Sequence, residues 1–129
     1  VKISRREFLI LTAGLAAGCQ SGAVLETGPH DVRIGRPDDY RTDGVYSRFR
    51  NRGVFIVRRG EKLFALSSIC THRNCKLTAE SDRTFYCPCH GSTFDADGKV
   101  TLGPAKRDLP AFPITTDDQG ELVVSVLGL

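Results

Sequence analysis

Several features are missing from this 129-residue chain, and each absence removes a class of function. No unbroken run of about 20 apolar residues occurs, so a protein crossing a membrane several times is excluded. Charge is almost balanced, with 18 Lys and Arg against 15 Asp and Glu, a net of +3. An excess so small and so evenly spread argues against nucleic acid as a partner. The chain has no Gly-rich phosphate loop, Ser–His–Asp set or pair of carboxylates placed for acid–base work. With no substrate pocket suggested, turnover would belong to a complex rather than to this chain. Past residue 31 no window keeps a helical period, and no internal repeat is present. What remains is an ordinary globular composition, 40% hydrophobic and 26% charged, which rules out a disordered chain. Five cysteines are an odd number for this length, and their positions carry most of the argument.

Residues 1–19 read as an address rather than as part of a fold. Lys2, Arg5 and Arg6 precede an apolar run from Phe8 to Gly18 that ends in small residues, the grammar of an export signal. Residues 4–9 resemble the twin-arginine signal, whose pathway carries folded proteins. Residues 15–19 resemble a bacterial lipobox, in which Cys19 would be lipidated and become the mature N-terminus. The rival reading keeps an anchor helix to about residue 25. Either way the domain is expected at the outer face of the bacterial cytoplasmic membrane, on the periplasmic side. Without the signal, 15 basic and 14 acidic residues remain. Residues 20–31 suit a linker, rich in Gly, Ser and Thr, and His30 within it reads as solvated. The domain is expected over residues 32–129.

Short periods fill that domain. Residues 53–57 and 63–66 are apolar runs separated by the hairpin signal 58–62. Residues 84–86 and 99–101 are further short runs, and 113–116 and 121–126 flank a turn at 117–120. The class is all-β, with packed antiparallel sheets and loops at one end. Arg48, Arg50, Arg52, Arg58, Arg59 and Lys62 alternate with apolar residues and read as a solvated sheet face. Asp95, Asp97 and Asp108 sit at turns, where turn chemistry explains them.

Two loops concentrate the chemistry, Cys70-Thr71-His72-Arg73-Asn74-Cys75 and Cys87-Pro88-Cys89-His90-Gly91-Ser92. Four cysteines and two histidines fall within 21 positions, each set just past a strand. Core packing accounts for one buried Cys, not for four beside two His. A structural zinc taking Cys70, His72, Cys87 and His90 would stabilise a binding module and leave Cys75 and Cys89 unused. A binuclear iron–sulfur centre with two Cys on one iron and two His on the other gives every residue a role. Each loop then supplies one ligand to each iron, and the two remaining cysteines are free to bridge, as an exported location permits.

The pattern C-T-H-x-x-C followed by C-P-C-H-G-S resembles the Rieske iron–sulfur proteins. It is most similar to the disulfide-bearing branch of quinol–cytochrome c reductases and their plastoquinol counterparts. The resemblance runs over roughly residues 44–127 and includes residues 94–95, 97–100 and 103–105. It implies a Rieske-type antiparallel β-sandwich with a small cluster-binding subdomain at its tip, preceded here by the signal or anchor segment. It implies one [2Fe–2S] cluster per chain, with Cys70 and Cys87 on the buried iron and His72 and His90 on the outer one. Cys75 and Cys89 would form the disulfide, and Ser92 would donate a hydrogen bond to a cluster sulfur. Imidazoles in place of thiolates raise the potential, and electron uptake would be coupled to proton uptake.

Two departures shape the expected partners. Position 94 is Phe where the quinol-oxidising branch has a Tyr donor, so the potential should fall short of the top of the Rieske range. Arg73 and Asn74 stand where that branch has Leu-Gly, whose Leu shields the cluster and helps form the quinone-docking surface, and Lys106 stands where a second Pro is common. The chain is thus expected to be an electron-transfer subunit working with cytochrome b and cytochrome c type proteins, with quinol a candidate donor. The alternative setting is the Rieske subunit of a periplasmic molybdenum oxidase, or a stand-alone carrier.

Overall fold

The computed structural model describes residues 29–127. Cys19, the twin-arginine segment and most of the linker lie outside the described residues. Eleven short strands are described, with two 3-10 turns at Pro37–Tyr40 and Arg50–Arg52. The strands are β1 (His30–Gly35), β2 (Gly44–Tyr46), β3 (Val54–Arg59), β4 (Lys62–Ser67), β5 (Thr78–Ala79), β6 (Phe85–Tyr86), β7 (Thr93–Phe94), β8 (Val100–Leu102), β9 (Ala111–Phe112), β10 (Ile114–Thr116) and β11 (Leu122–Val126). They form three antiparallel sheets in the orders β9-β4-β3-β2, β10-β11-β1 and β5-β6-β7-β8. The all-β expectation holds, and the reason is visible in the periods.

Strand β3 explains the layering. Val54 and Ile56 belong to one apolar core, with Val32, Ile34, Leu122 and Val124. Phe55 and Val57 belong to another, with Leu77, Phe85, Phe94, Cys70 and Cys87. Side chains alternate across a strand, so a continuous apolar run is what a strand buried on both faces requires. The β9-β4-β3-β2 sheet is therefore the middle layer. On one face it packs the β10-β11-β1 sheet, and on the other the small sheet that carries both chemical loops. The Phe55 and Phe85 rings meet at 5.1 Å between centroids across that second interface. Truncating either buried ring to Ala would cost about 3–5 kcal/mol.

The small sheet is an excursion from the middle one. The chain leaves β4 at Ser67 and returns in β9, which pairs beside β4 with Ala111 opposite Leu66. The two ends of the excursion are tied where the Ser67 N–H donates to Pro110 O at 2.9 Å. Gly98 closes the excursion against the middle sheet with φ of +86°, and a Cβ there would lie 3.2 Å from Leu66 Cδ2. Only glycine suits that position. The Gly98 carbonyl accepts the Leu109 N–H at 2.7 Å.

Three local readings change. Strand β1 starts at His30, so His30 and Asp31 pair with Val126 and Ser125 instead of trailing in a linker. His30 is half-buried and its Nε2 lies 2.9 Å from Arg52 O, so it is not a solvated residue. The basic stretch is only partly a solvated face. Arg50 lies in a 3-10 turn and its Nε donates to Leu77 O, holding the second residue past the chemical loop. Arg59 pairs with Asp97 at 2.6 Å and donates to Ala96 O at 2.8 Å, fixing the turn before Gly98. Asp97 thus has a long-range partner that local turn chemistry does not supply.

Candidate metal centre

The two chemical loops are built as short bridged turns. In the first, Ile69 pairs with Lys76 and the Cys70 N–H donates to Cys75 O at 2.8 Å. In the second, the Cys87 N–H donates to Ser92 O and the Gly91 N–H to Cys87 O, both at 2.8 Å. Gly91 takes φ of +84°, which reverses the chain between His90 and Ser92. Tying each loop across its own base presents its Cys and His from a fixed frame.

The loops are joined covalently. Cys75 and Cys89 form a disulfide with an S–S distance of 2.06 Å. Cys70 and Cys87 are free and buried, 2% and 1% exposed. The sulfurs of Cys75, Cys87 and Cys89 lie within 4.8 Å of one another. That trio is not itself a ligand set, because two of its sulfurs are spent on each other. Its meaning is that the bridge packs directly behind the Cys87 thiol.

The remaining donors converge from the two loops. The His72 and His90 rings meet edge to face with centroids 5.1 Å apart. His72 is half-exposed and His90 exposed, so the imidazoles face outward while the thiols face the core. Burial pushes the Cys87 thiol above the ordinary thiol range. The backbone N–H of Cys89 pulls it back, the adjacent Cys70 side chain raises it again, and the backbone N–H of His90 lowers it. A buried thiol in this state becomes a thiolate ligand when a cation takes the place of its proton.

Ser92 is the third part of the site. It is fully buried, and its Oγ accepts the Ala105 N–H at 3.0 Å. Among the described residues no acceptor takes its own hydroxyl hydrogen, so one buried donor remains available on the second loop. Residues 103–107 form a third loop that covers the site. Thr71 Oγ1 donates to Arg107 O at 2.7 Å, and Arg107 Nη2 donates to Thr71 O at 3.3 Å. A cleft of about 410 Å³ opens beside His72, lined by Thr71, Pro104, Lys106 and Arg107. Thr71 and Arg107 were not legible as site residues; adjacency to Cys70 and to Lys106 was their only signal.

The donor set fits a [2Fe–2S] cluster held by two thiolates and two imidazoles. Two buried thiols lie on the inner side, two paired imidazoles on the outer side, and one buried hydroxyl has a hydrogen to give. Phe94, 1% exposed, lies in the apolar cluster that contains Cys70 and Cys87. Arg73 and Asn74 are exposed beside His72.

Comparison with known proteins gives the same reading. The Rieske [2Fe-2S] domain family matches residues 29–113. The cytochrome b6-f complex iron-sulfur subunit 2 of Synechocystis is 39% identical, covering 95% of this chain and 84% of its own length. The cytochrome b6-f complex iron-sulfur subunit of Chlorobaculum tepidum is 36% identical over 64% of this chain and 46% of its own. The chain spans less than half the length of most curated relatives it matches. The crystal structure of the cyanobacterial plasma membrane Rieske protein from Synechocystis superposes with a TM-score of 0.56 at 30% identity. It covers 74% of this chain and 99% of that one. With more than half of its residues matched and both loops in place, this chain belongs to the Rieske [2Fe-2S] domain family, whose cofactor is the [2Fe–2S] cluster.

Proposed function

We propose that Cys70, His72, Cys87 and His90 hold the cluster, and that the chain serves as the iron–sulfur subunit of a membrane complex of the quinol–cytochrome c reductase kind. The observation that carries the ligand assignment is the pair of buried free thiols set behind a pair of outward imidazoles, on loops joined by a disulfide. When bound, the cluster accepts and returns one electron at a potential raised by its histidine ligands. Cys70 and Cys87 bind as thiolates, screened from water by Leu77, Phe85 and Phe94. His72 and His90 each bind through one ring nitrogen, leaving the other to hold or release a proton at the surface. Ser92 directs its hydroxyl hydrogen toward the cluster side of the loop, and Ala105 fixes the oxygen that carries it.

Relatives support the complex. Those reported above are named as subunits of cytochrome b6-f complexes, which supports cytochrome b and cytochrome c type partners and quinol as donor. The polar tip of Arg73 and Asn74 favours a second reading, a periplasmic molybdenum oxidase or a stand-alone carrier. Residues 1–19 would act as a twin-arginine signal, with lipidation at Cys19 or an anchor to about residue 25. The segment ahead of β1, which begins at His30, would tether the domain at the outer face of the membrane. Among the described residues no helix is long and apolar enough to cross a membrane.

Iron and acid-labile sulfide analysis of the full chain tests the ligand assignment. Two of each per chain are expected, lost together in Cys70→Ser and His90→Leu; zinc without sulfide overturns it. Quinol-dependent reduction of the cluster in native membranes tests the complex, and reduction only by a water-soluble carrier moves the chain to the second reading.

A further inference from the structure

The three loops around the metal centre are cationic with no local counter-charge. Residues 70–75, 87–92 and 103–107 contain Arg73, Lys106 and Arg107 and no Asp or Glu. Away from this tip, Arg33, Arg41, Arg59 and Lys99 are each matched to a carboxylate. Arg73 and Lys106 are exposed and make no ion pair or hydrogen bond among the described residues. Asp108, the carboxylate next along the chain, is already engaged by Lys99 at 3.9 Å and by the Val100 N–H at 3.0 Å.

The cations are also held in place. The two hydrogen bonds between Thr71 and Arg107 lock residues 103–107 onto the loop that carries His72. Lys106 and Arg107 therefore line the cleft beside His72, and Arg73 follows His72 directly. A preorganised rim of positive charge around exposed imidazoles is suited to a protein whose own redox centre sits within an acidic patch.

We infer that Arg73, Lys106 and Arg107 form a docking surface for an acidic electron-carrier protein, which meets the chain at His72 and His90. The inference rests on the ligand assignment above and names the partner of that same site. In the encounter the bound cluster would pass one electron to the oxidised metal centre of the carrier.

The test uses the full, cluster-loaded chain with two small c-type cytochromes, one with an acidic haem edge and one with a lysine-rich haem edge. Binding is read by biolayer interferometry and electron transfer by stopped-flow. Steering by a charged rim changes association by about 10-fold or more, and it is screened once the Debye length shrinks to about 10 Å near 0.1 M salt. Association with the acidic cytochrome should therefore fall about 10-fold between 10 and 200 mM salt. At 10 mM, Lys106→Glu should weaken both binding and transfer several-fold, and Arg73→Glu likewise. Arg41→Glu makes the same charge reversal at a remote 3-10 turn boundary and should change neither by more than about twofold. Equal effects of Lys106→Glu and Arg41→Glu would overturn the inference, as would salt-independent association or preference for the lysine-rich cytochrome. Loss of the visible iron absorbance marks failure of the ligand assignment instead, and the binding arm still decides the docking surface.

Discussion

Removing the Ser92 hydroxyl should lower both the stability and the reduction potential, by separable routes. The side chain is fully buried, and its Oγ is the acceptor for the Ala105 N–H at 3.0 Å. In Ser92→Ala that N–H, on a residue 5% exposed, loses its partner. Leaving a buried donor unsatisfied costs about 1–3 kcal/mol. The second route is the hydroxyl hydrogen, which no atom of the described residues accepts. A donor to the cluster side favours the more negative, reduced state. If the bond is stronger there by about 1–2 kcal/mol, the one-electron potential falls by about 40–90 mV in the variant. Ser67→Ala supplies the control. Ser67 is also fully buried, but its Oγ donates to Ile69 O at 3.2 Å and accepts the Ile69 N–H at 3.0 Å. It should lose comparable stability and keep its potential. Thermal melts and protein-film voltammetry on the three proteins decide the matter. A Ser92→Ala potential unchanged within about 10 mV, with stability lost, would refute the assignment of that hydrogen to the cluster.

Three further outcomes follow from named contacts. Replacing Cys75 and Cys89 by Ala opens a covalent loop with a sequence separation of 14, which should cost about 3 kcal/mol and speed iron loss on warming; unchanged iron retention would mean the bridge does not support the site. Phe94→Tyr places a hydroxyl in the apolar cluster that holds Cys70 and Cys87. It should raise the potential in voltammetry, and no change would mean that the ring edge faces away from the ligands. Asp117 is held at about 2, well below the usual carboxylate range, chiefly by its hydrogen bond to Arg33 and then by the N–H groups of Glu121 and Gln119. Because its folded value is the lower one, its contribution is complete above the unfolded value and is lost as pH falls from about 4 to about 2. Melts between pH 5 and pH 2 should therefore show a larger drop in the native chain than in Asp117→Asn.

Local chemistry made much of this molecule readable. The run at 53–57 has the continuous apolar character of a strand buried on both faces, and Gly60 sits in the turn where β3 and β4 pair Arg59 with Lys62. The two Cys–His loops stood out because no core uses four cysteines and two histidines so densely. Less legible was everything decided by distant partners. Ala111 and Phe112 form a strand only because Leu66 and Ala65 offer an edge 45 residues or more earlier, a pairing that no local period encodes. His30 and Asp31 lie in a stretch of linker composition, yet β11 offers them a complementary register. Arg50 and Arg59 alternate with apolar residues as a solvated face would. Their function depends on Leu77 O and Asp97, which the excursion brings back to them. The same holds for Thr71 and Arg107, joined across 36 positions at the edge of the site.

The central claim is that Cys70, Cys87, His72 and His90 carry a high-potential [2Fe–2S] cluster. It is tested most directly by electron paramagnetic resonance of the purified chain, first after ascorbate and then after dithionite. A Rieske-type signal is expected with ascorbate alone, absent from the His72 and His90 variants. A signal that requires dithionite would contradict the high potential, and no signal with either reductant would contradict the cluster itself.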